Sequence, residues 1–185
     1  MKSVSLQIES AVETLKRRGI IAYPTEAVYG LGCDPLFEEA VQKILSLKNR
    51  KQEKGFILVA HDFNLLRQWV GVLPDEKMKA VFATWPGPVT WLFPAAPWVP
   101  AWVRGKHDTL AIRVSDHPVV VQLTCAYGQP LISTSANPEG LPPAVNAAEV
   151  KHYFDEQVDY IVQGKTGGLA KPTTICDALT GDVLR

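Results

Sequence analysis

Two short segments of this chain hold most of its potential for chemistry. The first, Tyr23-Pro24-Thr25-Glu26-Ala27-Val28-Tyr29-Gly30-Leu31-Gly32, gathers a hydroxyl, a carboxylate and a phenol around a turn. Pro24 biases Tyr23 to an extended backbone, so a strand must stop there. Gly30 and Gly32 let the chain turn, or let a ligand approach closely. A capping box at Thr25 is the purely structural reading, but the two glycines would interrupt that helix at once. A ligand-facing loop is therefore expected. The second segment is Lys48-Asn49-Arg50, with Lys51 and Lys54 just beyond it. Cations at a helix C-terminus are favoured by the helix dipole alone. A solvated helix end and an anion site thus both fit. In an anion site Arg50 would supply a planar fork, and Lys48 and Lys54 would supply point charges.

A third segment, Ser133-Thr134-Ser135-Ala136-Asn137, emerges directly from an apolar strand. Open α/β sheets place ligands at the carboxyl ends of strands. Ser133, Ser135 and Asn137 alternate, so an extended backbone would turn all three to one side. An Asx or Ser/Thr turn before Pro138 is the competing explanation. Hydroxyls facing cations suit an anionic substrate and point to nucleotide chemistry, yet the usual nucleotide motifs fail. Gly164-Lys165-Thr166 has the look of a Walker A ending, but position 159 holds Asp159 where that motif needs glycine. The residues before it read as a strand, which leaves no room for the phosphate loop. His61, His107, His117 and His152 lack metal-ligand spacing, so no protein metal site is expected. His117, just before Pro118, reads as a helix cap. Cys33, Cys125 and Cys176 are an odd, scattered set. That argues against a disulfide framework and for small buried hydrophobes.

These segments need a scaffold. The chain has 185 residues, 46% of them apolar, which is enough for one α/β domain over residues 1–185 with a sizeable core. Its formal net charge of zero leaves no bulk field for nucleic acid or membrane, so any basic surface must be local. No apolar run approaches the ~18 residues of a membrane span, and residues 1–16 carry no signal-peptide pattern. A reduced, cytoplasmic setting is the default. Helical periodicity covers residues 6–15, with Gly19 as the stop, and residues 36–47, 64–70, 75–85, 118–126 and 147–153. Short apolar runs at 20–22, 56–60, 89–93, 110–114, 131–133, 160–162 and 174–176 read as strands. Residues 94–107, rich in Pro and Trp, read as an ordered loop anchored by Trp98 and Trp102. The expected result is a twisted mixed sheet with helices on its faces.

The ordered set of motifs resembles the YrdC/Sua5 family in its short, single-domain form. The resemblance rests on the 23–32 segment, Lys48-Asn49-Arg50, Trp85-Pro86-Gly87-Pro88-Val89-Thr90, Leu110-Ala111-Ile112-Arg113-Val114, His117-Pro118 and the 133–137 loop. It implies a YrdC-like fold with a concave basic active-site cleft. It also implies a nucleotidyltransferase that makes threonylcarbamoyl-AMP and pyrophosphate from L-threonine, bicarbonate and ATP. That product serves N6-threonylcarbamoyladenosine formation at position 37 of tRNAs reading ANN codons, with TsaB, TsaD and TsaE as partner proteins. By resemblance, Thr25, Tyr29, Arg113 and Ser133 belong to threonine. Lys48, Arg50, Lys54, Ser135, Asn137 and Thr173 belong to ATP, with Lys48 and Arg50 also catalytic. Mg2+ would enter with ATP, held mostly by phosphates and waters. The chain departs from the family at Lys51, where a stiffening Pro is usual, and at Pro138-Glu139-Gly140, where Glu139 adds negative charge beside an expected phosphate site.

Two other readings compete. One is a module that docks tRNA or double-stranded RNA without chemistry, using the Lys48–Lys54 cations; zero net charge gives it little support. The other is a carbamoyl-adenylate function like that of the related domain in hydrogenase maturation proteins.

Overall fold

A computed structural model describes residues 3–170 and 173–185. Helix α1 (Val4–Lys16) is capped by Ser3, whose hydroxyl accepts from the Leu6 amide. It buries Ile8, Ala11, Val12 and Leu15 at helical spacing. Then follow β1 (Ile21–Pro24), β2 (Tyr29–Gly32), α2 (Glu38–Lys48), β3 (Ile57–Ala60), α3 (Phe63–Leu66), α4 (Asp75–Phe82) and β4 (Val89–Pro94). The chain continues through α5 (Ala101–Arg104), β5 (Thr109–Val114), α6 (Pro118–Tyr127), β6 (Leu131–Ser135), α7 (Ala147–Phe154), β7 (Tyr160–Ile161) and β8 (Thr174–Asp177).

Among the described residues the strands form one mixed sheet in the order β7-β1-β2-β6-β3-β5-β4-β8. The β1–β7, β3–β5 and β4–β8 pairs are parallel, and the other four pairs are antiparallel. Alternation along each strand sends side chains into two separate cores. Ala22, Leu31, Leu58, Ile112 and Ile132 pack with α2, α4 and α7 on one face. Ile21, Tyr23, Val59 and Leu131 pack with α1 and α6 on the other. Strands buried on both sides need apolar runs rather than strict alternation, which is why they were visible in the sequence as runs.

Most expected elements are present, and the differences have physical causes. The 64–70 helix is a single turn, α3, followed by a 3-10 turn at Arg67–Trp69. The 94–107 loop contains the short α5, and its tryptophans are anchors as expected. Trp98 donates to the Gln68 carbonyl at 3.1 Å and its ring lies 4.6 Å from that of Trp69. Trp102 donates to the Pro35 carbonyl at 3.1 Å. His117 caps α6, with Nδ1 accepting from the Val119 amide. Cys33 and Cys176 are buried as expected, but Cys125 lies on the exposed side of α6.

The 29–32 segment is a strand, not a loop, and its two glycines do different work. A Cβ at Gly32 would sit 2.4 Å from the Ile132 carbonyl oxygen and 2.8 Å from the Tyr23 ring. Gly32 thus lets β2 lie against Tyr23 and β6, away from any ligand. A Cβ at Gly30 would meet Ser133 Oγ at 3.3 Å and Thr25 Cγ2 at 3.4 Å, a tight but less severe contact. Gly32→Ala should therefore cost about 1–3 kcal/mol by overpacking, and Gly30→Ala clearly less. Urea unfolding of both variants checks this ranking, and equal costs would contradict it.

Candidate functional site

A cavity of about 480 Å³ opens on the sheet face that α1 and α6 cover only in part. Its floor follows from strand register. Ser133 of β6 pairs with Ile57 of β3, Ile57 with Ala111 of β5, and Ala111 with Leu92 of β4. All four line the cavity. Thr109 and Arg113, two residues either side of Ala111, face the same way, as does Ser135 beyond Ser133. Gly30, paired with Ser135, continues the wall into β2.

The β1–β2 connection forms one rim. Thr25 is no helix cap: its hydroxyl donates to the Val28 carbonyl at 2.7 Å and its amide to the same oxygen at 3.0 Å. This closes a four-residue turn that places Thr25, Ala27 and Val28 against the cavity. The Tyr29 hydroxyl donates to the Gly164 carbonyl at 2.8 Å and accepts from the Gly164 amide at 3.1 Å. Burial raises its pKa, partly offset by the Gly164 bond. Tyr29 lines the cavity while tethering the 162–164 segment to this rim. That segment runs on without a helix, consistent with the rejection of a Walker A loop at Gly164-Lys165-Thr166.

Arg113 is 4% exposed, and its partners were not predicted. Nη2 lies 3.2 Å from Glu26 Oε2, with both side chains buried. Nη1 donates to Thr173 Oγ1 at 3.1 Å and, more weakly, to Thr90 Oγ1 at 3.4 Å. Glu26 Oε1 accepts from the Ser115 hydroxyl at 2.6 Å. Among the described residues, Glu26 Oε2 and Arg113 Nε have no hydrogen-bond partner, so the ion pair is close without being aligned. Thr173, expected at the nucleotide by resemblance, lines the cavity beside Arg113. Glu26 stood in the opening segment but drew no role, because nothing in sequence spacing links position 26 to position 113. Their adjacency is a product of the sheet.

The basic run is at the other end. Arg50 Nη2 donates to the Gly55 carbonyl at 2.9 Å, and its guanidinium lies 5.4 Å from the centre of the Phe56 ring. Burial lowers its pKa, against a raising influence from Glu139. Gly55 precedes β3 and Arg113 pairs with Val59. The two arginines are thus held toward opposite ends of β3. Lys54 also lines the cavity and is bound to Glu139 at 3.0 Å, an ion pair half exposed on both sides. Glu139 thus takes up Lys54, and this pairing holds its carboxyl below the usual range.

Lys48 does something else. Its ammonium donates to the Ser135 carbonyl, to the Asn137 carbonyl at 2.7 Å and to Asn137 Oδ1 at 3.2 Å. The Glu139 amide returns a bond to the Lys48 carbonyl at 3.0 Å. Ser135 Oγ donates to Asn137 Oδ1 at 2.6 Å, and Asn137 Nδ2 donates to the Leu141 carbonyl at 2.7 Å. The Lys-x-Arg terminus and the Ser-x-Asn loop are thereby stapled together. Lys48 and Asn137 lie behind the cavity wall, whereas Arg50, Lys54, Ser133 and Ser135 line it. The cleft expected to be basic does carry cations, but Glu26 and Glu139 offset two of them. No group of three or more His, Cys, Asp or Glu poised for a metal occurs among the described residues.

A family model described as telomere recombination, Sua5_yciO_yrdC, matches residues 13–185. The chain belongs to the Sua5/YciO/YrdC family. A relative named Threonylcarbamoyl-AMP synthase from Stenotrophomonas maltophilia (strain K279a) is 53% identical over 182 residues, which is 97% of this chain and 98% of that protein. The structure of P. abyssi Sua5 complexed with L-threonine superposes with a TM-score of 0.90 at 29% identity over 96% of this chain. This chain spans about half of that longer protein, 53%. E. coli YciO superposes with a TM-score of 0.84 at 28% identity, covering 100% of this chain and 90% of that one. The α/β domain with a mixed sheet flanked by helices is this family's fold.

In this Sua5/YciO/YrdC chain the staple is titratable. Burial, and then the neighbouring Arg50 charge, lower the Lys48 pKa from 10.5 to about 8. Between those values the unfolded chain holds a proton that the folded chain has released, so this group makes stability rise with pH across that window. Wild type should gain stability relative to Lys48→Met between about pH 7.5 and about pH 9.5. Urea unfolding at both pH values checks this, and a constant difference would contradict the assignment.

Proposed function

We propose that this protein is an L-threonylcarbamoyladenylate synthase. The observation that carries the reading is the cleft: a buried guanidinium, Arg113, on one part of its wall and Arg50 with Lys54 on another, toward the opposite end of β3. That separation suits a small carboxylate beside a triphosphate. A relative 53% identical over nearly the whole chain and bearing the synthase name supports it, as does a Sua5 structure holding L-threonine.

In this reading Arg113 takes the threonine carboxylate, and Thr25, Tyr29 and Ser133 frame the amino acid. The threonine amine attacks bicarbonate carbon, a C–O bond breaks and water leaves, giving a carbamate. A carbamate oxygen attacks the α-phosphorus of ATP, the bond to the bridging oxygen breaks, and pyrophosphate departs. Arg50 and Lys54 offset the phosphate charge, and Ser135 lies on the same wall. Lys48 and Asn137 hold that wall in place, and Thr173 steadies Arg113. Little covalent work falls to side chains, so catalysis is positioning and electrostatics. Water must be kept out, because carbamate and adenylate both hydrolyse. The residues fit a Mg2+ ion carried on the triphosphate and water rather than in a carboxylate cage, and it would offset phosphate charge there.

The product would pass to tRNA-modifying proteins, with TsaB, TsaD and TsaE as the expected partners, in the cytoplasm. No described helix is long and apolar enough to cross a membrane. The RNA-docking reading rests on Lys48, Arg50, Lys51 and Lys54, and three of these, Lys48, Arg50 and Lys54, are taken up by protein partners.

Purified protein should release pyrophosphate from ATP only when threonine and bicarbonate are both present. Arg113→Ala should weaken threonine binding, and Arg50→Ala ATP binding, each by about 1.5–3 kcal/mol, read by calorimetric titration. RNA binding without pyrophosphate release would favour the docking module. Activity with carbamoyl phosphate but not threonine would favour the hydrogenase-maturation type.

A further inference from the structure

The cleft's buried cation does not stand alone, and the group behind it has no role in the reaction just described. Glu26 is 5% exposed and is not part of the cavity wall, so it does not meet a ligand in this arrangement. It stands behind Arg113 in a relay of buried polar groups. The His117 amide donates to Ser115 Oγ at 3.2 Å, the Ser115 hydroxyl donates to Glu26 Oε1 at 2.6 Å, and Glu26 Oε2 faces Arg113 Nη2 at 3.2 Å. The relay is fixed at each step by backbone. Ser115 follows β5 directly and donates its amide to the Ala60 carbonyl at 2.9 Å. The Glu26 carbonyl accepts from the Leu169 amide at 3.1 Å, and a Cβ at Gly167 would lie 2.9 Å from that same oxygen.

We propose that Glu26, oriented by Ser115, is a positioning residue that fixes the direction in which Arg113 presents its guanidinium to a carboxylate ligand. A long side chain in a cavity wall has several rotamers, and a bidentate fork binds a carboxylate only if its plane is held. Here both arms are engaged: Nη2 lies 3.2 Å from the Glu26 carboxylate as an ion pair without an aligned hydrogen bond, and Nη1 donates to Thr173 and more weakly to Thr90. The Glu26 charge also offsets the cost of a guanidinium buried without a ligand, since an unpaired buried charge is strongly destabilising. The two contacts differ in kind. The threonine hydroxyls can rotate to follow Arg113, whereas the carboxylate is itself held through Ser115.

The inference rests on the synthase reading for its substrate, so its test has one part that needs no substrate. The Nη2–H resonance of Arg113, the arm that faces Glu26, assigned in a 15N correlation spectrum by its loss in Arg113→Lys, should be sharp and displaced from the crowd in wild type. In Glu26→Gln it should broaden or fall back among the exposed arginines. In turnover, Glu26→Gln should raise the KM for threonine at least tenfold, leave the KM for ATP within about twofold, and change kcat little. Ser115→Ala keeps the charge and removes only the orienting bond, so it should move the threonine KM in the same direction by a smaller factor. Glu26→Asp should recover part of the loss. If Glu26→Gln folds less well, Ser115→Ala carries the test alone. An unmoved Arg113 resonance in Glu26→Gln, or equal rises in both KM values, would overturn the proposal. A wild type inactive with threonine but with the resonance displaced and sensitive to Glu26 would instead sink the synthase reading and leave the positioning role standing.

Discussion

Coverage of the sheet is the constraint from which the rest follows. Strands this apolar must be buried on both faces. One face is closed by α2, α4 and α7. On the other, α1 and α6 cover Ile21, Tyr23, Val59 and Leu131 but stop short of the ends of β3, β4, β5 and β6. Where helices are missing, polar and charged residues join the apolar row. Val59 is core, while its neighbour across the pairing, Arg113, is a cleft residue. Leu131 is core, while Ser133 and Ser135, on the same side of the same strand, line the cavity.

Cations placed at such a boundary carry a desolvation cost, and each one here has a different remedy. Arg113 has a buried carboxylate and two hydroxyls. Lys48 has three oxygen acceptors from one loop. Arg50 has one carbonyl and an aromatic face, with its Nε left without a partner among the described residues. The least compensated of the three also lines the cavity, which is where an incoming anion would complete its shell.

What was legible in the sequence tracks how local the cause is. Most strands and helices declared themselves through apolar runs and helical spacing, and His117 as a cap through Pro118. The cavity residues Arg50, Lys54, Ser133 and Ser135 stood in recognisable segments. The strand character of Tyr29–Gly32 was hidden because its glycines suggested a loop, whereas Gly32 is required by the approach of Tyr23 and Ile132. The dual nature of the Lys-x-Arg segment was also hidden. Spacing shows two cations at a helix end, but only the fold reveals that Asn49, in a left-handed conformation, ends α2 so that Lys48 and Arg50 diverge. The Glu26–Ser115 relay joins residues 89 positions apart and had no local signature at all.

The Lys54–Glu139 contact has a consequence for how the cleft responds to ionic strength. The pair is half exposed and so is weakened by salt. An anion arriving at Lys54 competes with Glu139 for its charge. Added electrolyte loosens that internal latch while it also screens the attraction that draws the anion in. The two effects oppose each other, so the rim carries its own buffer against changes in its ionic surroundings. A bare lysine in the same place would lose its grip steadily as salt rose.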